Sequence, residues 1–122
     1  MKLSDAIRLG SSLRRQTRNR YFDEGGSCAL GAAAEASGVP YNEELGLTEL
    51  RIKEHLREAF PILATFELRP CPVCGYRYHL ISHLNDKHEW TREQIANYVA
   101  LEEARIEQKQ ESTREEAAAL LL

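Results

Sequence analysis

The residue types best suited to chemistry are concentrated in one stretch, RPCPVCGYRYHLISHLNDKHEW, which runs from Arg69 to Trp90. It contains two of the three cysteines and three of the four histidines in the chain. Thiolate and imidazole groups are ligands by which proteins bind Zn2+ tetrahedrally. Within this stretch, C-P-V-C-G predicts a tight turn, because proline fixes one dihedral angle and glycine permits a left-handed exit. Such a turn would present Cys71 and Cys74 to one metal ion.

Two pairs of histidines could supply the remaining ligands. His83 with His88 gives the spacing C-x2-C-x8-H-x4-H, which leaves eight residues for the chain to reverse, and zinc sites use H-x4-H. His79 with His83 lies on one helical face, but only four residues separate Cys74 from His79. The favoured Zn2+ ligands are therefore Cys71, Cys74, His83 and His88. The alternative exchanges His88 for His79.

Enzyme chemistry fits this stretch less well. A C-x-x-C pair is typical of thiol redox proteins when a long helix and a βαβ pattern follow, and neither is predicted here. P-C-x-x-C is half of the zinc-deaminase signature, whose H-x-E half is absent because Glu58 follows His55 one position too late. The sequence has no Walker loop and no G-x-S-x-G. We therefore expect a structural zinc site, with no coordination position left for water, and no enzymatic activity.

The segments before the cysteines are predicted to be mostly helical. A first helix over about residues 5–17 follows Ser4 as its N-cap. A second helix, CALGAAAEAS, follows Ser27 as its N-cap and ends before Gly38. Because this second helix consists almost entirely of small residues, we expect it to approach its neighbours closely at the centre of the fold. Cys28 at its start is expected to be a small core residue, with a reactive thiol as the alternative.

The middle of the chain combines a loop, a third helix and an extended segment. NEELGL is predicted to be a loop, and Thr48 opens a helix over about residues 49–60, which Pro61 ends. His55 lies beside the apolar face of that helix, so we interpret it as a partly buried structural histidine. The following ILATFELR predicts a short strand or extended segment that leads into the cysteine turn.

The C-terminal part is predicted to be a helix followed by a tail. Thr91 and Gln94 match a capping box that begins a helix through about Gln110. Thr113 and Glu116 match the same pattern, so the last ten residues could form a further helical turn or two. The apolar end, AAALLL, could dock on the core, mediate self-association or be recognised by a protease.

These patterns predict a mostly α fold, with a small α+β fold as the alternative. We expect a compact helical domain with a short extended segment and a CxxC…HxxxxH zinc clamp. One zinc-stabilised globular domain is expected over residues 1–110, followed by an acidic and apolar tail over residues 111–122.

Composition and length are those of a soluble globular protein. The chain has 122 residues, of which 43% are hydrophobic and 29% charged. No apolar run approaches the ~20 residues that span a bilayer, and MKLSDAIRLG lacks the apolar core of a secretory signal. Three cysteines, two of them in C-x-x-C, argue against a disulfide framework. We therefore expect a cytoplasmic protein that does not bind membranes.

Charge is distributed unevenly along the chain, whose net charge is −3. Residues 1–22 are basic, with Asp5 as their only acidic residue, whereas the segment from Glu102 to Leu122 contains six glutamates. The asymmetry predicts one basic and one acidic surface, and two solvated helix faces are the simpler explanation. The candidate nucleic-acid contacts are Arg8, Arg14, Arg15, Arg18 and Arg20.

Three motifs, SCALGAAAEASG, CPVCG and HLNDKHEWTREQIANYV, resemble a group of small phage and bacterial proteins of uncharacterised function. The resemblance covers about residues 1–101, in patches. It implies that His83 and His88 are the paired ligands. It also implies that LND is an architectural turn, in which Asn85 or Asp86 satisfies backbone groups where a short helix ends. The resemblance implies a fold and a metal site but no reaction.

The sequence thus favours a small zinc-binding accessory or regulatory protein, encoded by a phage or mobile element, that acts through contacts with another protein. A nucleic-acid-binding regulator that uses the basic N-terminal segment is the alternative. Against it stand a pI of about 5.8 and a zinc helix with few base-reading groups, namely Arg77, Asn85 and Lys87. We therefore expect nucleic-acid binding to be weak at most.

Overall fold

The computed structural model describes residues 1–41 and 49–121. Its helices are α1 (Leu3–Ser11), α2 (Ala29–Ala36), α3 (Glu49–Ala59), α4 (Leu63–Phe66), α5 (Leu80–Asp86) and α6 (Arg92–Leu120). Its strands are β1 (Arg15–Gln16), β2 (Phe22–Asp23) and β3 (Gly26–Ser27). The prediction of a mostly α fold is therefore confirmed. The predicted loop NEELGL and the predicted helix start at Thr48 lie outside the described residues.

The hydrophobic core lies between α1, α2 and α6. α1 packs against both of the other helices, α3 and α5 pack against α2, and α4 packs against α3. The core residues contributed by α1 and α6 include Leu3, Ile7, Ile95 and Val99, all of them almost fully buried. The stretch from Arg69 to Trp90, which contains the candidate ligands, therefore follows α1 to α4 in sequence and leads into α6, the longest helix of the described residues.

A small three-stranded sheet follows α1, with the order β1-β3-β2. β2 and β3 form an antiparallel hairpin, and β1 pairs with β3 in parallel, so that Arg15 lies beside Gly26. The hairpin turn places Glu24 at φ 41° and Gly25 at φ 81°, and a type I′ turn requires positive φ at both central residues. Gly25 therefore lies in the turn of this hairpin, and Gly26 begins β3.

Helix α1 is shorter than predicted and ends at Ser11. Lys2 occupies the N-cap position and Ser4 is buried inside the first turn, so the predicted cap was wrong. The hydroxyl groups of Ser11 and Ser12 donate hydrogen bonds to backbone carbonyl groups of the last turn. Because such bonds compete with helix continuation, the helix ends there, and Arg15 pairs as a strand.

Helix α2 lies at the centre of the fold, as its small residues predicted. A Cβ atom at Gly10 of α1 would lie 1.9 Å from the carbonyl oxygen of Ala32. A Cβ atom at Gly31 would lie 2.1 Å from the carbonyl oxygen of Tyr21. Both neighbours of α2 therefore approach it at backbone distance, which any larger residue would prevent. The fully buried alanines of α2 are Ala29, Ala32, Ala33 and Ala34.

Cys28, not Ser27, is the N-cap of α2. Ser27 belongs to β3, and the Cys28 sulfur accepts a hydrogen bond from the backbone N–H of Gly31 at 3.3 Å. Burial raises the pKa of the Cys28 thiol to about 11. A protonated, buried thiol is a core residue, so the structure favours the first interpretation of Cys28 over a reactive thiol.

The middle of the chain forms the two helices α3 and α4. α3 covers the predicted range and ends before Pro61, and the His55 Nε2 on it lies 2.9 Å from the hydroxyl oxygen of Ser37. The predicted strand over ILATFELR is wrong, because Leu63–Phe66 is helical. Leu63 and Phe66 are both buried at a spacing of three, which places them on one helical face.

Helix α6 begins at the predicted capping box. The Thr91 hydroxyl accepts a hydrogen bond from the Gln94 N–H at 3.1 Å, and the Gln94 side chain accepts one from the Thr91 N–H at 2.9 Å. The helix continues without a break to Leu120, so its predicted end near Gln110 was wrong.

The predicted tail continues α6 as regular helix through Leu120. Thr113 does not begin a second helix, since its hydroxyl donates to the carbonyl oxygen of Lys109 within the same helix. The boundary predicted between residues 110 and 111 therefore lies in mid-helix. Neither α6 nor any other helix in the described ranges is long and apolar enough to cross a membrane.

A buried asparagine connects α5 to the N-terminal third of the chain. The Asn85 side chain makes four hydrogen bonds, the full capacity of an amide group, and the residue is 1% exposed. Its Oδ1 accepts from the Gln16 Nε2 at 2.8 Å and from the Ala29 N–H at 3.2 Å. Its Nδ2 donates to the carbonyl oxygen of Thr17 at 3.0 Å and to the Asp86 carboxylate at 2.8 Å. Asn85 therefore satisfies backbone groups of other elements, not those at the end of its own helix.

Arg92 makes a similar connection from the first turn of α6. Its Nη1 donates to the hydroxyl and carbonyl oxygens of Ser27 at 3.0 and 3.2 Å. Its Nη2 donates to the carbonyl oxygens of Ser11 and Arg14. A buried charge requires such partners. The backbone between α1 and α2 is thus hydrogen-bonded to both α5 and α6.

Replacement of Asn85 by alanine is expected to lower the free energy of unfolding by on the order of 3 kcal/mol, because it leaves the Ala29 N–H and the Thr17 carbonyl buried without partners. Chemical denaturation measures the change. Asn97→Ala is the matched control, since Asn97 is exposed and accepts one bond from Arg8; its effect should stay within about 0.5 kcal/mol. Equal losses in the two variants would contradict the role of Asn85.

Candidate metal centre

The C-P-V-C-G segment forms the turn that its sequence predicts. The Cys71 N–H donates to the carbonyl oxygen of Tyr76 at 2.8 Å, and the Gly75 N–H donates to the carbonyl oxygen of Cys71 at 2.9 Å. Gly75 has φ 79°, a left-handed value that glycine adopts readily. The Val73 N–H donates to the Cys71 sulfur at 3.4 Å. Cys71 and Cys74 are therefore presented from one turn.

The two histidines come from the segment after this turn. His83 lies on α5, and His88 follows the end of that helix. The carbonyl oxygen of His83 accepts from the Lys87 N–H at 2.9 Å and from the His88 N–H at 3.4 Å. These bonds fold the chain back at the end of α5, so that His88 returns toward His83.

Four potential ligand atoms converge between the turn and α5. The His83 Nε2 is 3.2 Å from the Cys74 Sγ and 3.1 Å from the His88 Nε2. In a tetrahedral zinc site, the bond lengths imply separations of about 3.6 Å between sulfur and nitrogen and about 3.3 Å between two nitrogens. The cluster therefore has the size of a four-coordinate site and could bind a metal ion. Its members, whose ligand atoms lie within 4.8 Å of one another, are Cys71, Cys74, His83 and His88.

The surroundings of His83 favour the neutral imidazole that a metal requires. The ring of Tyr76 stacks on the ring of His83, with centroids 4.8 Å apart and planes inclined by 24°. Partial burial lowers the pKa of His83, and electrostatic repulsion from His88 and Lys87 lowers it further. Because metal ions bind only deprotonated ring nitrogens, a lowered pKa of His83 is compatible with its role as a ligand.

His79, the alternative ligand, lies apart from the cluster. It precedes α5 with φ 50°, and it is exposed. It lines a separate cavity of about 240 Å³ together with Lys53 and Arg57. The structure thus brings together the favoured C-x2-C-x8-H-x4-H set and not the set that includes His79.

Two of the N-terminal arginines are engaged in contacts with α2 and α6. Arg14 makes a bidentate ion pair with the Glu35 carboxylate, with distances of 2.9 to 3.1 Å, and its guanidinium lies over the ring of Tyr41. Arg8 donates to the Asn97 side chain at 2.7 Å. Both side chains therefore have partners within the chain, which reduces their availability to a nucleic acid.

The other three candidate arginines are exposed. Arg15 donates to the carbonyl oxygen of Glu24 at 2.8 Å, on the hairpin turn, and Arg18 donates to the carbonyl oxygen of Asn85 at 3.2 Å. Arg20 follows Arg18 in sequence and precedes the hairpin of β2 and β3. These three side chains keep the basic character of the segment at the surface, and their role in nucleic-acid binding stays a prediction.

Sequence reasoning missed the long-range roles of Asn85 and Arg92. Asn85 follows the buried Ile81 by four residues, which places it on the core-facing side of α5. Arg92 precedes the buried Ala96 by four residues and shares its face of α6. A polar residue on an apolar helical face predicts buried partners elsewhere in the chain, so a signal for both roles was present.

Comparisons of the chain with protein-family models, with curated proteins and with solved structures find no match. The resemblance drawn from the three sequence motifs therefore stays a prediction. Function must be inferred from the candidate metal centre and from the surface around it.

Thiol labelling should distinguish the buried cysteine from the clustered pair. Cys28 is buried, and its pKa of about 11 leaves only about 0.1% thiolate near pH 8. In metal-loaded protein we expect no fast-reacting thiol. Chelation at low temperature should first expose Cys74, whereas Cys28 should react only when denaturant unfolds the chain. Mass spectrometry of alkylated peptides gives each rate, and fast labelling of Cys28 in folded protein would indicate a reactive thiol.

Proposed function

We propose that this chain binds one structural Zn2+ per molecule through the four clustered side chains. The convergence of their ligand atoms within 4.8 Å is the observation that supports this proposal. Two thiolates and two imidazoles are a ligand set of structural zinc sites, whereas catalytic sites keep one position for water. With every position filled by a protein side chain, the site has no catalytic function and the protein is not an enzyme.

The zinc ion stabilises a segment that has little packing of its own. Residues 72–79 are all exposed, so the cysteine turn buries little apolar surface. Coordination by His83 and His88 joins this turn to α5 and to the segment that leads into α6. A metal ion here replaces the hydrophobic contacts that so short a turn cannot make.

Single substitutions should identify the histidine ligands. His88→Ala should release the metal, because it removes one of four ligands, whereas His79→Ala should retain it. Metal analysis of protein purified without a polyhistidine tag should give about one equivalent of zinc for the wild type and for His79→Ala. The opposite result, with zinc lost in His79→Ala and kept in His88→Ala, would contradict the ligand assignment.

Chelation should strongly lower thermal stability, since metal affinity contributes to the free energy of folding. We expect the midpoint of thermal unfolding to fall by about 10 °C or more on removal of zinc, and to return when zinc is restored. Circular dichroism with and without a chelator measures this shift. An apo protein that stayed fully folded and gained hydrolytic activity on adding metal would indicate a catalytic site.

The surface of the cysteine turn supports a protein-binding role. Three apolar or aromatic side chains project from it, with exposed fractions of 56% for Val73, 53% for Tyr76 and 60% for Tyr78. Exposed apolar groups that lie together are typical of protein contact surfaces, and tyrosine is enriched in such surfaces. We therefore infer an accessory or regulatory protein of the cytoplasm whose zinc-stabilised turn contacts a protein partner. We propose that a phage or mobile element encodes it, on the basis of the sequence resemblance to small phage and bacterial proteins.

Affinity co-purification from the native host, with and without nuclease, tests this function. We expect a protein partner that survives nuclease treatment and is lost in the double variant Val73→Asp with Tyr78→Ser, which should still bind zinc. Leu50→Asp is the control, because Leu50 is an exposed apolar residue on α3, a helix that does not contribute to the turn. Recovery of nucleic acid alone, dependent on Arg15 and Arg20, would favour the nucleic-acid-binding alternative.

A further inference from the structure

α6 packs against the rest of the described chain only over its first half, and the helix then continues past the last buried residue, Glu103. Buried residues recur along one face of the helix at steps of four and three, namely Arg92, Ala96, Val99 and Glu103. The same steps continue as Ile106, Gln110, Thr113, Ala117 and Leu120. All residues from 107 to 121 are exposed, so the distal half of α6 (residues 107–120) buries no residue against the described chain.

Steps of four and three are the spacing of the residues, most of them apolar, through which paired helices contact each other. In the distal half these positions hold Gln110, Thr113, Ala117 and Leu120, and a helix without such contacts gains little stability alone. We propose that the distal halves of α6 from two copies of this chain pair antiparallel and form a symmetric homodimer. In this dimer, Gln110 lies opposite the partner's Thr113.

The charges beside the heptad repeat support this register. Lys109 and Glu116 lie on one side of the repeat, and Glu107 and Arg114 lie on the other. Lys109 then faces the partner's Glu116, and Glu107 faces the partner's Arg114. The two-fold axis repeats both pairs, so all four of these pairs join opposite charges. Glu107 also contacts Lys2 of its own chain at 3.0 Å, and one carboxylate can accept from both cations.

Other arrangements of the two helices bring like charges together. A shift by one heptad in one direction places Glu116 beside the partner's Glu116 and Arg114 beside the partner's Arg114. A shift by one heptad in the opposite direction places Lys109 beside the partner's Lys109 and Glu107 beside the partner's Glu107. A parallel pair places Lys109 beside the partner's Arg114. Because like charges at these positions disfavour pairing, the charges on α6 select one direction and one register.

The same register gives the apolar residues of the repeat suitable contacts. Ile106 faces the partner's Ala117, so that a large residue meets a small one. The partner's Leu120 lies level with Glu103, beside a groove of about 420 Å³ between α6 and the rest of the chain. Leu120 is 87% exposed in the single chain and can be buried there. The apolar lining of the groove includes Met1, Phe60, Pro61, Ile62 and Ile106.

Charge reversal tests the dimer in the zinc-loaded full chain. Sedimentation equilibrium is expected to show a reversible dimer. Lys109→Glu makes two attractive pairs repulsive and should raise the dimer dissociation constant by about tenfold or more. The double variant Lys109→Glu with Glu116→Lys restores opposite charges and should return the constant close to its original value. Lys53→Glu on α3 makes the same charge change away from α6 and should have no effect.

Disulfide cross-linking tests the register. Chains carrying Gln110→Cys and chains carrying Thr113→Cys, mixed and oxidised with zinc bound, should form the mixed disulfide faster than either chain forms its own. Zinc content and the helical signal in circular dichroism show whether each variant is folded. A chain that stays monomeric at every concentration, or a dimer insensitive to Lys109→Glu, would overturn the proposal. Faster disulfide formation between identical Gln110→Cys chains would do the same, because it indicates parallel helices.

Discussion

The hydrogen bonds of the buried Asn85 amide fix where α5 lies, and α5 positions His83 of the candidate metal centre. Each partner left unsatisfied costs about 1–3 kcal/mol, so α5 has one favourable position against β1 and α2. Asn85 lies between His83 and His88 in sequence. A movement of α5 that opened the ligand cluster would therefore also break hydrogen bonds inside the core. The candidate metal centre and the N-terminal third of the fold depend on the same short helix.

This dependence is possible because α2 lets its neighbours approach closely. Gly31 lies against the backbone of Tyr21, and at the start of the same helix the Ala29 N–H bonds to Asn85 of α5. Arg92 then satisfies the carbonyl groups that remain at the ends of α1 and β3. Buried polar groups are favourable only when every member has a partner. The small residues of α2 and the connected hydrogen bonds therefore allow this small core to contain the Asn85 amide and the Arg92 guanidinium.

Features that depend on neighbouring residues could be predicted from the sequence, and contacts between distant segments could not. The spacing of the clustered cysteines and histidines and the capping box at Thr91 each involve a few nearby positions. Leu63 and Phe66 lie in an apolar segment too short to distinguish helical from extended periodicity. The capping-box pattern at Thr113 does not show where a helix begins, because the same residues also occur inside a continuing helix, as they do in α6. Two partners of Asn85 lie 56 and 69 positions away, which no local pattern encodes.

Backbone contact at Gly10 and Gly31 constrains how this protein can change over evolutionary time. A methyl group at either position would overlap a backbone carbonyl, which cannot move aside as a flexible side chain can. The cysteine and histidine cluster can be exchanged for apolar residues that fill the same space, and surface charges can be replaced. These two glycines have no such substitute. Distant descendants of this chain should therefore keep both glycines even where their cysteines and histidines have been lost.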